Sequence, residues 1–375
     1  MVARKQYFYA LSMFIGTIIG VGLFGIPYVG VQAGFTTLII FFILIGGLSI
    51  LINFYYGEIA SKTKGLHRLP GYAAIYIGPN AKKIAFIVKT FAIFGALLAY
   101  LIVGGQFLAS LFGGSVYLYT FIFFILGSIL VWRDQRSIGP VELVMLLVFM
   151  VIIVFLFFSG LPHIDFSNLS GVHMENFFAP YGVLLFSLWG TSIIPEVKET
   201  LKGDLRQIRK AIIWGSITCL VVYFLFSLLI IGISGDATSE NALSGLENHL
   251  GDWVITVGYI FGIITTFTSF ITLGLTVKKI FWYDYSMPKR IGWALACFIP
   301  LIMFIIGLRD FISVISLTGA VMLGIDGILV TIIFLKLKKK EKSHHYAAWK
   351  GLNTVIVPLL VLGIVLEFLY FFKVL

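Results

Sequence analysis

Eleven stretches of mostly apolar residues follow one another along the 375-residue chain. A helix needs about 20 such residues to cross the hydrocarbon core of a bilayer. Only 12% of the residues are charged, about half of the ~25% found in soluble domains. The sequence therefore predicts an all-α, multi-pass membrane protein. Its spans are expected at roughly 7–29, 35–59, 83–112, 116–132, 139–161, 177–195, 208–233, 252–283, 289–308, 311–335 and 350–373.

The basic residues predict the orientation of these spans. With a cytoplasmic N-terminus, every Lys and Arg except Arg309 and Lys373 falls in a cytoplasmic segment, Lys89 among them. Cytoplasmic loops carry such an excess of positive charge. We therefore expect a protein of the cell (plasma) membrane with its N-terminus inside and its C-terminus outside. Short basic clusters between apolar spans suit an anionic lipid surface and argue against a nucleic-acid partner.

The first span contains an unusual number of helix-weakening residues: Gly16, Gly20, Gly22, Gly25 and Pro27. Each glycine costs a helix about 1 kcal/mol relative to alanine, and proline about 3 kcal/mol. Close helix packing through Gly16-x-x-x-Gly20 explains two of the glycines. A helix broken at mid-membrane explains the whole set, because free backbone groups are tolerated there only beside protein or a cavity. The GxGxxG pattern within this span follows no strand, so no nucleotide cofactor is expected.

The sixth span repeats these features with Gly182, Gly190 and Pro195. Spans one and six are the first members of two sets of five, residues 1–161 and 177–335, and 350–373 is an additional span. Corresponding broken helices in two inverted halves indicate a transporter binding site. A restarting half-helix presents N–H groups to a carboxylate, and an ending half-helix presents carbonyls to an ammonium. The expected ligand is an amino acid.

Three segments carry a resemblance to a known family: residues 16–27, 186–196 and 268–275. With them the chain resembles the amino acid–polyamine–organocation superfamily. It is most similar to the amino acid/auxin permease branch, which includes bacterial tryptophan and tyrosine permeases. The resemblance implies the five-plus-five inverted repeat of the leucine transporter, with broken helices 1 and 6 and one extra helix. It also implies transport by alternating access.

The resemblance further implies the residues of two sites. Substrate would be held by residues from both breaks, which are Gly20, Val21, Gly22, Phe186, Ser187 and Trp189. Sodium would be held between spans one and eight, by Gly16, Ile19, Thr265, Thr268 and Ser269. Two alternatives stay open. Trp189 could be a packing residue, and the span-eight hydroxyls could bond back to their own helix.

Two residues bear on the coupling ion. Proton-coupled relatives place a lysine in span five, and the matching position here is Phe149. Asp326 lies deep in the apolar tenth span, where an acid is expected to be functional. Its alternative role is to cap a local break at Gly324 or Gly327. Sodium coupling is therefore favoured, with proton coupling through Asp326 as the rival.

These observations predict a secondary active transporter for a neutral or aromatic amino acid. The alternative is a transporter-like amino acid sensor or channel without coupled transport. A membrane-embedded enzyme is not expected, because the chain has no HExxH, GxSxG or P-loop motif. The expected partners are the amino acid, the coupling cation and the lipid bilayer.

Overall fold

The computed structural model describes residues 4–133, 138–247 and 249–372, and every regular element in these ranges is helical. Helices predominate because each one satisfies its own backbone hydrogen bonds, as a lipid environment requires. The α-helices are α1 (Arg4–Ile18), α2 (Gly22–Ala33), α3 (Phe35–Lys62), α4 (Leu69–Tyr76), α5 (Pro79–Phe112), α6 (Val116–Trp132), α7 (Ile138–Gly160), α8 (Ala179–Ser187), α9 (Ile194–Thr200), α10 (Leu205–Ser234), α11 (Asp252–Lys279), α12 (Lys289–Ile305), α13 (Phe311–Leu317), α14 (Gly324–Lys340) and α15 (Tyr346–Phe371).

Seven helices in the described ranges are long and apolar enough to cross a membrane, and α1 with α2 forms an eighth if the bent pair is one span. The other predicted spans correspond to α6 and α12, of 17 residues each, and to the interrupted pair α8 and α9. The prediction of an all-α, multi-pass membrane protein is confirmed. The count of eleven, the repeat boundaries, the plasma membrane and the sidedness of the termini remain predictions.

Helix α5 is the centre of the bundle. In its most apolar stretch 83% of the residues are buried, against 22% for α15 and for the end of the fifth span. It packs against α4, α6, α11, α12 and the π-helical segment Thr318–Leu323 that joins α13 to α14. Side chains on α5 can therefore meet residues from both predicted halves of the chain.

The tenth span and α8 pack backbone to backbone through two glycines. A Cβ atom on Gly319 would lie 2.0 Å from the carbonyl oxygen of Gly182 and 2.8 Å from the backbone nitrogen of Phe186. A Cβ atom on Gly182 would lie 2.5 Å from the carbonyl oxygen of Ser316. Small residues permit this close approach between membrane helices, and it places the tenth span directly beside the second break.

One end of the bundle, which we name the inner end after the predicted orientation, is bound together by charged side chains. Arg68, at the start of α4, forms an ion pair with Glu196 in α9. The Nζ of Lys198 donates to the carbonyl oxygens of Thr63 at 2.9 Å and Gly65 at 2.6 Å. These bonds hold the segment between α3 and α4 onto α9. The opposite end, with the loops 161–178 and 235–251, is named the outer end.

We expect Gly319→Ala to lower the free energy of unfolding by about 2 kcal/mol, because the new methyl group meets backbone atoms that cannot rotate away. Thermal unfolding in detergent measures the change. The matched control is Gly47→Ala in α3, whose Cβ would meet no atom within 4 Å. This variant should be as stable as the wild type or slightly more stable, since alanine favours helix. Equal stability of the two variants would contradict the packing argument.

Candidate functional site

The first span is broken where the sequence predicts. Helix α1 ends at Ile18, α2 begins at Gly22, and the two axes differ by 47°. The N–H groups of Gly20, Val21 and Gly22 donate to no backbone carbonyl in the described ranges. Glycine at two of these positions removes the side chains that would hinder the bend. The break thus leaves backbone donors in the middle of the bundle.

The sixth span is broken at the corresponding place. Helix α8 ends at Ser187, and α9 begins at Ile194 after a six-residue irregular segment. The Ser187 hydroxyl donates to the carbonyl oxygen of Val183 at 2.6 Å, which satisfies one carbonyl of the last turn. The prediction of two interrupted helices is therefore confirmed.

Tyr223, in the middle of α10, joins the two breaks. Its hydroxyl lies 2.6 Å from the carbonyl oxygen of Ile18 and 3.2 Å from that of Ser187, and donates its proton between them. Both carbonyls belong to the last helical residue before a break. Sequence reasoning missed this residue, because a single tyrosine in an apolar span carries no motif.

A small cavity of about 40 Å³ lies between the breaks. All six predicted substrate residues line it, and none of its lining side chains is charged. The wall is completed by α5, the eighth span and the tenth span. The lining residues are Thr17, Ile18, Gly20, Val21, Gly22, Ala92, Ile93, Ala96, Tyr100, Phe186, Ser187, Trp189, Ser192, Leu273 and Leu323.

The two glycines of the first break have different neighbours. A Cβ atom on Gly22 would lie 2.2 Å from the Ser187 hydroxyl oxygen, so α2 crosses α8 at this residue. A Cβ atom on Gly20 would lie 2.9 Å from the Tyr100 hydroxyl oxygen and 3.5 Å from that of Ser269. The sequence left two explanations for the glycines of this span, a broken helix and close helix packing. Both apply at this break.

The predicted cation residues of span eight lie beside this break. The Ser269 hydroxyl is buried and lies beside Gly20 and the Tyr100 hydroxyl. The Thr268 hydroxyl lies 2.9 Å from the carbonyl oxygen of Ile264 and 3.1 Å from that of Thr265, so it bonds back to its own helix. Phe149 is buried and packs against Phe261 of α11, with ring centroids 4.9 Å apart. The span-five position of the relatives' lysine is thus filled by an apolar ring.

Asp326 is fully buried and binds three side chains from other spans. Its carboxylate accepts hydrogen bonds from the Trp189 Nε1 at 2.8 Å and the Thr191 hydroxyl at 2.9 Å. The Lys89 Nζ lies 3.3 Å from the same carboxylate and donates to the Thr191 hydroxyl at 2.7 Å. We name these four residues the Lys89–Asp326 cluster. It ties the second break to α5 and α14.

The structure corrects the prediction for Lys89. The sequence placed it in a cytoplasmic segment, but it lies within α5 and is 4% exposed. A lysine near a span end normally extends its amine to water. Here Asp326 supplies a buried opposite charge, and Thr191 supplies a further acceptor. The side chain therefore turns into the bundle.

The same contacts bear on the alternatives for Asp326 and Trp189. Asp326 binds donors on other helices instead of capping a break at Gly324 or Gly327. The Trp189 ring lies against Gly327, where a Cβ atom would be 2.8 Å from it. Trp189 is thus a packing residue and a hydrogen-bond donor as well as a wall of the cavity.

Solved structures with the same fold are transporters. MhsT in complex with L-phenylalanine superposes with a TM-score of 0.70 at 15% identity, over 98% of this chain and 98% of that chain. Mhp1, a nucleobase-cation-symport-1 family transporter with bromovinylhydantoin bound, gives 0.66 at 11% identity, over 96% and 91%. The fold is the leucine-transporter type with broken helices 1 and 6.

The family follows from the sequence comparison. The model of the tryptophan/tyrosine permease family matches residues 3–369, so the chain belongs to that family, whose members are amino acid permeases. A similar relative is tyrosine-specific transport system 1 of Haemophilus influenzae (strain ATCC 51907 / DSM 11121 / KW20 / Rd). It is 25% identical, over 94% of this chain and 93% of the relative. The family resemblance predicted from the sequence is confirmed.

We expect Lys89→Met to lower the free energy of unfolding by about 3 kcal/mol, because it leaves a buried carboxylate without its cation. Adding Asp326→Asn should restore at least half of that loss, since the amide is neutral and still accepts from Trp189 and Thr191. Chemical unfolding in detergent measures both values. Lys83→Met, an exposed lysine on the same helix, is the control and should change little. Additive losses in the double variant would show that the pair is not coupled.

Proposed function

We propose that this permease carries a zwitterionic aromatic amino acid by alternating access and couples its movement to sodium. The observation that carries the proposal is the cavity between the two breaks, where free backbone groups meet an uncharged, partly aromatic wall. The named substrates of the family, and of the relative in Haemophilus influenzae, are aromatic amino acids.

The two ends of a zwitterion have matching groups in this cavity. The N–H groups at Gly20, Val21 and Gly22, which donate to no backbone carbonyl in the described ranges, suit the carboxylate, aided by the positive end of the α2 dipole. The carbonyl end of α8 at Phe186 and Ser187 suits the ammonium. A charged side chain would find no counter-charge among the lining residues, and burying it unpaired is costly. The substrate is therefore neutral.

The wall of the cavity suits an aromatic side chain. Phe186 and Trp189 offer ring faces, and Ala92 and Ala96 on α5 leave room opposite them. The Thr17 hydroxyl is buried without a partner and lines the same space. It can accept or donate a hydrogen bond to a phenol or an indole N–H.

The size of the cavity supports a conformational cycle. About 40 Å³ is far below the ~300 Å³ of typical ligand pockets, so the walls must separate before an aromatic amino acid fits. The inner end is held by Arg68, Glu196 and Lys198 in the described conformation. Release of these bonds would open the path toward that end.

The side chains around the breaks favour sodium over protons. Ser269 offers a buried hydroxyl oxygen beside Gly20. The Thr268 hydroxyl donates its proton to its own helix, so its oxygen lone pairs stay available to a cation. The other proposed ligands are Thr265 and the carbonyls of Gly16 and Ile19. Protonating Asp326 would remove the counter-charge of buried Lys89. That step is costly in a low dielectric, which disfavours the rival mechanism.

We expect purified protein in proteoliposomes to accumulate labelled tyrosine, tryptophan or phenylalanine, and neither lysine nor glutamate. Gly20→Leu should reduce uptake to below about a tenth, because its side chain would meet Tyr100 and Ser269 and fill the cavity. Gly47→Leu is the matched control, since its Cβ would meet open space, and it should transport normally. Binding without uptake would favour the alternative of a sensor. Preference for lysine or glutamate would contradict the uncharged site.

We expect Thr268→Ala combined with Ser269→Ala to raise the sodium concentration for half-maximal uptake about tenfold. The loss of two oxygen ligands to a cation corresponds to at least 1.4 kcal/mol. Substrate affinity at saturating sodium should change less. Thr256→Ala, on the exposed side of the same helix, is the control. Uptake driven by a pH gradient alone, indifferent to sodium and lost in Asp326→Asn, would overturn sodium coupling.

A further inference from the structure

A second and larger cavity, which we name the outer cavity, lies at the outer end of the bundle. Its volume is about 490 Å³, within the ~300–1,000 Å³ of pockets that enclose a small molecule. It is bounded by α2, the start of α8, α13 and the last turns of α15. The lining residues are Val29, Gln32, Glu175, Asn176, Ala179, Ile312, Ser313, Ser316, Glu367, Tyr370 and Phe371.

The outer cavity shares three walls with the central one. On α2, on α8 and on the tenth span, a residue that lines one cavity stands seven positions from a residue that lines the other. The pairs are Gly22 and Val29, Phe186 and Ala179, and Leu323 and Ser316. Seven residues span about 10 Å of helix. The outer cavity therefore lies about two turns outward from the central cavity along the same helices.

Glu367 gives the outer cavity a buried carboxyl group. The residue lies in α15 and is 4% exposed. No Lys or Arg of the described ranges forms an ion pair with it, and none lines the cavity. The Ser316 hydroxyl faces its carboxyl group. A buried carboxylate without a cation is costly, so a cationic ligand in this space would be strongly stabilised.

We propose that the outer cavity binds an aromatic primary amine, with its ammonium group on Glu367. Tyr370 and Phe371 provide aromatic surface for the ring and for cation–π contact. Tyr370 is positioned by its hydroxyl, which donates to the Asn176 side-chain oxygen at 3.1 Å.

The chemistry of the walls favours an organic ammonium over a metal ion. Calcium and magnesium prefer six or more oxygen ligands, with several carboxylates or waters close together. The outer cavity has a single buried carboxyl group, and its wall also includes the apolar side chains of Val29, Ala179 and Ile312. No lining residue carries a cationic side chain that could pair with a carboxylate on the ligand. The ligand therefore needs an ammonium group but no carboxylate. Tyramine, an aromatic amine without a carboxylate, is therefore a suitable probe for this site, and its dependence on Glu367 distinguishes the outer cavity from the central one.

The test is calorimetric titration of tyramine into the purified full-length chain in detergent. Wild-type protein should bind tyramine, and Glu367→Gln should weaken binding at least tenfold because the amide cannot neutralise the ammonium. Glu199→Gln, an exposed glutamate that lines neither cavity, is the matched control and should bind like wild type. Ser313→Trp, which fills the cavity while leaving Glu367 in place, should also lose tyramine binding. Folding of every variant is checked by its melting temperature.

The outcomes separate this site from the central one. Undetectable tyramine binding to folded wild-type protein at millimolar concentration would overturn the proposal, as would equal affinity in wild type and Glu367→Gln. If Glu367→Gln does not fold, Ser313→Trp decides the matter: unchanged tyramine affinity in that variant overturns the proposal. Glu367-dependent tyramine binding in a protein that takes up no amino acid would support the outer site and reject the proposed transport. Uptake of tyrosine by a protein that does not bind tyramine would support the proposed transport and reject the outer site.

Discussion

Backbone N–H and carbonyl groups cannot remain unpaired against lipid, so a membrane helix can break only where protein or a polar cavity receives the freed groups. Two membrane helices of this protein are broken, and one residue of a third helix, α10, binds freed carbonyl groups at both breaks. The Tyr223 hydroxyl reaches the carbonyls of Ile18 and Ser187, the last helical residues on each side. Gly20 and Val21 line the space between the breaks. The position of the cavity follows from this arrangement.

The Lys89–Asp326 cluster extends the same constraint to charge. A lone lysine or aspartate at this depth would be costly, whereas the pair with Trp189 and Thr191 satisfies both charges with short contacts. Because Trp189 and Thr191 belong to the second break, the cluster links the cavity wall to α5 and α14. Any movement that opens the cavity at Trp189 must either carry these helices along or break the cluster.

The two cavities are lined by the same three helical segments, and the second of these segments leads to α9 and the ion pair at the inner end. Arg68 and Glu196 close the inner end, and the large outer cavity opens on the same three helices that line the central one. Gly182 and Gly319 hold α8 and the tenth span at backbone contact between the two cavities. This backbone contact between α8 and the tenth span thus lies between the residues that line the two cavities.

The family resemblance supplied the six residues that share the central cavity, and the sequence by itself determined the membrane class, most span positions and both helix breaks. These depend on local properties: apolar length, helix-weakening glycine and proline, and the need to satisfy backbone groups in lipid. It singled out Asp326 but misplaced Lys89, and it did not reveal Tyr223, Thr191 or Glu367. In spans that are apolar on all sides, no periodicity shows which face meets which neighbour. Lys89 and Asp326 stand 237 positions apart, so only the tertiary packing of α5 against the tenth span decided that they pair.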